Sequence, residues 1–268
     1  MKNTLRRIWG LVYRHICVYR RSWPRVLEIA YWPTLELLVW GFTARFFSHR
    51  FDQNGSMVLV GAALVAGVLL WEIMLRSQVG VAFSFLEEIW SRNLGHLFVS
   101  PLRPAELVAG LLTVSLIRTC IGLFPAIILA FVLYHYNLFG AGPVMLLFFV
   151  NLLLMGWWLA LGIVSLLFRY GAGAEALAWT IAFGITPVAC VFYPLASLPV
   201  WLQPVAQALP AAHVFEGLRA MLLHGQTDWL QFALALGLNI VWAAIAIAVF
   251  AGEFRRARIR GALISIGE

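Results

Sequence analysis

Residues 142–168 read GPVMLLFFVNLLLMGWWLALGIVSLLF, and no Asp, Glu, Lys or Arg interrupts them. A helix crossing the hydrocarbon core needs about 20 such residues, so this run is long enough to span. Runs of similar character lie near 26–47, 57–76, 107–133, 174–195 and 230–251, which makes six expected spans. Composition agrees: 62% of the 268 residues are hydrophobic and 12% charged, against about 45–50% and about 25% in soluble domains. A soluble globular domain, a disordered chain and a coiled coil are excluded. Lipid satisfies no backbone hydrogen bond, which favours helices. A barrel would alternate polar and apolar residues over segments of about ten. The expected fold is an all-α integral membrane protein, one domain over 1–268, with no internal repeat and no long polar linker.

Residues 4–22 differ from the spans. Leu5, Ile8, Trp9, Val12, Ile16 and Tyr19 recur at steps of three and four, and Arg6, Arg7, Arg14, Arg20 and Arg21 fall largely elsewhere. The pattern predicts a basic amphipathic helix lying in the headgroup plane. The apolar stretch after it is too long and starts too late for a cleaved leader.

The formal charge of +7 is explained by topology. Seven of the Lys and Arg residues lie in 1–25, three in 76–106, then Arg169, then four in the tail at Arg255, Arg256, Arg258 and Arg260. The opposite side holds Arg45, Arg50 and Arg219. This bias places both termini in the cytoplasm, and no nucleic acid is needed to account for the charge. Lys2 is the single lysine. A phosphate-cradling Gly-rich loop ends in Gly-Lys-Ser/Thr, so any ATP and Mg must be bound by a partner, and no cofactor is expected in this chain. Cys17, Cys120 and Cys190 are far apart and read as buried structural thiols.

The segment 82–106, AFSFLEEIWSRNLGHLFVSPLRPAE, is the most informative outside the spans. A helix over 83–97 would align Phe83, Leu86, Trp90, Leu94 and Leu97 on one face and Glu88, Arg92 and His96 on the other, with Glu88 and Arg92 spaced to pair. Ser100-Pro101 ends it. Two readings follow: a helix lying on lipid, or a docking element for a soluble partner. The acidic pair Glu87-Glu88, the Trp90 anchor and the rigid Pro101–Pro104 exit favour docking.

Glu88-Ile89-Trp90-Ser91-Arg92-Asn93-Leu94, followed by Val99-Ser100-Pro101-Leu102-Arg103-Pro104-Ala105-Glu106-Leu107, resembles the cytoplasmic loop of type-2 ABC exporter permeases. A second stretch resembles that family's segment before the last span. It comprises Phe192-Tyr193-Pro194-Leu195, Leu198-Pro199, Trp201-Leu202-Gln203-Pro204, Leu209-Pro210 and His213-Val214-Phe215-Glu216-Gly217-Leu218-Arg219-Ala220. The resemblance covers the whole chain. It implies six-span subunits paired as a homodimer or pseudo-dimer in the bacterial inner membrane, each docking one soluble ABC ATPase. It also implies a coupling helix at 83–97, with Phe83, Glu87, Glu88, Trp90, Arg92 and Leu94 at the ATPase, and a gate helix at 4–22. Substrates exported by the family include polysaccharides, lipid-linked glycans, lipids and drugs. The rival reading is an ATPase-independent channel or an intramembrane enzyme.

Between the fifth and sixth spans, Pro194, Pro199, Pro204 and Pro210 interrupt 192–224. Two short re-entrant helices over 196–224 are expected there, shielded from lipid. Tyr193, Pro194, Pro199, Pro210, His213, Glu216 and Arg219 would form an extracytoplasmic gate. His213 and Glu216 are spaced i,i+3, but with no further ligand nearby no metal is expected; Glu216 pairing with Arg219 is the alternative. Within the spans, Glu36 and Arg118 fall about 15–16 Å from the same face. They are expected to pair, the alternatives being a protonated Glu36 or an Arg118 facing a wet cavity. Glu72 and Arg76 are spaced for a same-helix pair. Trp157, Trp158 and Trp179 either pack in the bundle or line a translocation path.

Overall fold

The computed structural model describes residues 2–51, 56–134 and 142–259; Arg260 lies outside them. The described residues form ten α-helices: α1 (Lys2–Arg21), α2 (Trp23–Phe51), α3 (Ser56–Trp90), α4 (Leu94–Val99), α5 (Pro104–Tyr134), α6 (Pro143–Tyr170), α7 (Glu175–Ile185), α8 (Gln203–Gln207), α9 (Pro210–His224) and α10 (Trp229–Ile259). Among the described residues there is no strand. Among the described residues four helices are long and apolar enough to cross a membrane: α3 over Val60–Trp90, α5, α6 and α10.

The fifth apolar run departs from the straight span expected at 174–195. Its helix α7 holds 11 residues, continues as a 3-10 turn over Thr186–Val188 and then bends through Cys190, whose φ is 58°. Pro187 removes a helical N–H there, and Cys190 in the left-handed region turns the chain. Two short helices, α8 and α9, follow within 196–224. The 29-residue α2 runs through the first expected span, but its charged residues keep it out of the four most apolar helices.

Packing centres on α3, which lies against α2, α5, α6 and α9. Two thirds (67%) of its most apolar stretch is buried, against 17% for α10. The outer face of α10, with Ile240, Val241, Ile245, Ile247 and Val249, stays uncovered. In lipid, helices associate through close packing of small residues and not through apolar burial alone. Pro33 inside α2 leaves the Ile29 carbonyl without its helical donor. Gly122 of α5 lies against that oxygen so closely that a Cβ there would sit 2.9 Å away.

Candidate functional site

The end of α3 that carries Trp90 is built by a short chain reversal. Arg92 adopts φ 52°, its N–H donates to Ile89 O at 2.9 Å, and Asn93 N–H donates to Glu88 O at 3.0 Å. The Asn93 side chain donates back to Glu88 Oε2 at 2.7 Å. The single helix expected over 83–97 is therefore two: α3 stops at Trp90, and α4 restarts at Leu94 after a left-handed residue. The face assignment changes with it. Glu88 is fully buried, Leu94 is buried, Phe83 is half-buried against Trp90 and Trp179, and Trp90 remains 50% exposed. Glu88 and Arg92 do not pair, because the break at Arg92 destroys the i,i+4 geometry.

The buried acid is held by α1. Arg14 forms an ion pair with Glu88 Oε1. His15, 2% exposed, lies between the two carboxylates, with Nε2 3.3 Å from Glu88 Oε1 and Nδ1 3.6 Å from Glu87 Oε2. Arg25 at the start of α2 reaches Glu87 at 3.4 Å. In the first turn of α5, Glu106 accepts two bonds from Arg7, at 2.8 Å from Nε and 2.5 Å from Nη2. That two-pronged geometry is the strong form of the pair. Glu106 Oε2 also accepts Arg103 N–H at 2.9 Å, so it caps its own helix. Further along, Arg118 donates to Tyr19 Oη at 3.2 Å and lies 5.4 Å from that ring's centroid.

These contacts fix three protonation tendencies on α1. The bond to Glu106 raises the pKa of Arg7. Burial lowers that of Arg14, partly offset by Glu87. Burial raises the Tyr19 phenol, against the opposing pull of Arg118. The buried stripe of α1 is Leu11, Val12, His15 and Tyr19, while Leu5, Trp9 and Tyr13 stay exposed on the other side. Between α1 and the end of α3, Arg14, His15, Val18, Arg25, Glu87 and Trp90 line an open cleft of about 490 Å³.

The expected pair of Glu36 and Arg118 does not form. Arg118 takes Tyr19, and Glu36 lies against Glu72 with Arg76 nearby. The two are not level: Gly122 of α5 faces Ile29 of α2 and Tyr134 faces Leu38, so Arg118 sits near the start of α2, roughly 15 Å along the axis from Glu36. Glu72 and Arg76 do pair, at 2.8 Å.

Around the bend at Cys190, Glu216 Oε1 accepts Leu195 N–H at 2.7 Å and Arg219 Nη2 at 2.9 Å, and Arg219 Nη1 donates to Cys190 O at 2.8 Å. One ion pair thus ties the irregular segment to α9. Tyr193 donates to Pro187 O, and Phe192 stacks on Trp40 of α2 with centroids 4.3 Å apart. Pro194 precedes the 3-10 turn Leu195–Ser197, Pro199 O accepts from Leu202 N–H, and Pro210 opens α9. His213 is committed to protein: Nδ1 is 2.7 Å from Gln231 Oε1 and Nε2 2.9 Å from Gln207 O. It shares no ligand geometry with Glu216, and among the described residues no cluster of three metal-binding side chains occurs.

One polar network went unread in the sequence. Asn239 of α10 accepts from Trp158 Nε1 at 3.0 Å and donates to Asn151 O and Oδ1, each at 3.0 Å. All three are buried. The signal was present as two lone asparagines in otherwise apolar runs. Trp158 packs inside the bundle, stacked on Trp242 at 5.4 Å, and Trp179 packs on Phe83.

No curated protein matches the chain. The family model of the ABC-2 type transporter matches residues 6–223, a stretch that includes the α1 clamp, the Trp90 corner and the Glu216–Arg219 tie. The chain belongs to the ABC-2 type transporter family, whose members are the membrane-spanning permease subunits of ABC transporters.

Proposed function

We propose that this chain is the permease of an ATP-driven exporter, moving an amphipathic substrate such as a polysaccharide, a lipid-linked glycan, a lipid or a drug out of the cytoplasm or inner leaflet. Two copies pair, and each docks one ABC ATPase that binds ATP and Mg. α2 and the α7 segment complete six crossings, with both termini in the cytoplasm of a bacterial inner membrane. The observation that carries the docking reading is the Trp90 corner: a large aromatic, 50% exposed, on a chain reversal held rigid by the Asn93–Glu88 bond. Exposed tryptophans anchored in rigid surroundings dominate protein interfaces.

The mechanism follows from what the corner is joined to. Glu87 and Glu88, next to Trp90, lie within ion-pair distance of Arg14, His15 and Arg25. A push on the corner moves α3 and pulls α1 with it, since both acids bridge the two helices. α3 in turn contacts α2, α5, α6 and α9. ATPase closure would thus reach the irregular outer segment through α3 and α9 as a rigid-body movement. Glu88 serves this linkage from inside; the contact surface is Trp90, Ser91 and Arg92, with Phe83, Glu87 and Leu94 supporting it from behind.

Trp90→Ala combined with Arg92→Glu should weaken ATPase binding by about 2 kcal/mol or more, roughly 30-fold, with the permease still folded. Co-purification and titration of the ATPase measure it; unchanged binding overturns the docking site.

Orientation has a test in the native thiols. Of the three cysteines expected to be buried only Cys190 is; Cys17 and Cys120 are exposed, each on an uncovered face of its helix. In a Cys120→Ser background, a membrane-impermeant maleimide should label Cys17 in inside-out vesicles and leave it unlabelled in intact cells. Labelling from the outside alone would invert the topology.

A further inference from the structure

We infer that Glu36 of α2 and Glu72 of α3 form a proton-binding site within the membrane domain, the two carboxylates holding one proton between them. The side chain of Glu72 is fully buried. Its Oε2 accepts Arg76 Nε at 2.8 Å, and its Oε1 has no hydrogen-bond donor. Glu36, half-buried on the facing helix, lies against Glu72. Two carboxylates and one guanidinium leave one negative charge in excess. An uncompensated charge at this position costs several kcal/mol, and adjacent carboxylates in a low dielectric do not both ionise. One proton makes the cluster neutral and supplies the donor that Glu72 Oε1 lacks.

The surrounding elements leave that role to the proton. On α5, Arg118 bonds to Tyr19, Glu106 to Arg7, and Tyr134 donates to Leu38 O. On α9, Glu216 and Arg219 bond to each other. α6 carries Arg169 in its last turn, and α7 carries Glu175 in its first. Arg45, on α2 itself, is more than two turns beyond Glu36. A cluster that is neutral with one proton and charged without it ties the packing of α2 on α3 to pH.

The test needs neither transport nor the ATPase, so it stands or falls apart from the docking reading. The full-length chain in lipid nanodiscs is followed by infrared spectroscopy in the carbonyl region of the neutral carboxylic acid, at neutral pH. Wild-type protein should show a band that E36Q and E72Q each abolish, because either remaining carboxylate then pairs with Arg76. R76Q should roughly double the band, since two protons are then needed for neutrality. Subtracting variant from wild type removes the contributions of other carboxyls, and monodispersity on gel filtration confirms that each variant is folded. Absence of the band in wild-type protein overturns the proposal whatever the variants do. A band retained in E72Q means that Glu36 alone is neutral and overturns sharing. Loss of the wild-type band on adding sodium would make the occupant a metal cation and also overturns it.

Discussion

Replacing Glu88 with leucine should release α1 from the end of α3 and lower the stability of the protein by about 3 kcal/mol, the lower end of the range for breaking a buried ion pair. The low end applies because Arg14 keeps 42% of its side chain exposed and can return to water. His15 has no such exit: it is 2% exposed and would lose its Glu88 neighbour. The Asn93 amide would lose its 2.7 Å acceptor, which loosens the reversal that presents Trp90. Thermal unfolding in a single detergent, together with protease cleavage within α1, measures both effects. Glu88→Gln should lose less, because an amide oxygen still accepts from Asn93. An unchanged melting temperature and an uncleaved α1 in Glu88→Leu would show that the clamp contributes nothing. The same burial rules out charge reversal at Glu88 as a probe of docking: an arginine there would be a buried cation beside His15 and Arg14, with its own position closed to solvent.

Gly156→Ala should destabilise the α3–α6 interface by about 3 kcal/mol, the upper part of the range for overpacking. A Cβ at 156 would overlap Ser77 Oγ and sit 2.6 Å from Met74 O and 3.0 Å from Gln78 N. Two of these are backbone atoms and cannot swing aside, so the helices themselves must separate. That shift would also strain the Gln78 side-chain bond to Ala178 O and the Ser115 bond to Ser77 O, at 2.8 and 2.7 Å. Ser77→Ala should rescue part of the loss by clearing the side-chain clash, leaving the backbone clash in place. The three variants in one thermal-unfolding series test this. Equal stability of Gly156→Ala and wild type would mean that the α3–α6 contact at Gly156 has room for a methyl group.

What could be read before the structure was known was whatever depends on one helix at a time. Apolar runs long enough to cross lipid, and a basic helix ahead of them, follow from hydropathy and period. The same holds for Glu72 with Arg76 and Glu216 with Arg219: residues three or four apart on a helix are neighbours wherever the helix packs. The family resemblance rested on local strings and was equally legible. The helix over 83–97 was misread because Ser91-Arg92-Asn93 carries neither Gly nor Pro, and the left-handed turn at Arg92 is held by Asn93 bonding back to Glu88. The fifth run gave a similar error, since its apolar composition persists through a bend that Arg219 and Glu216 hold from another helix.

Composition, span-length runs and charge placement thus determined by themselves that this is an all-helical membrane protein with an amphipathic leading helix. Only the tertiary structure decided which polar groups meet between helices. Glu88 meets Arg14 and His15, Glu36 meets Glu72, Arg118 meets Tyr19, and Asn239 meets Asn151 and Trp158. The physical reason is how each helix is rotated and how far it is shifted along its neighbours. Spacing along one helix fixes which neighbours share its face, but not the level at which that helix sits against the next, as Glu36 and Arg118 show. The direction that face points is set by close packing at small residues such as Gly122 and Gly156, and in lipid it is this packing that sets helix rotation and tilt.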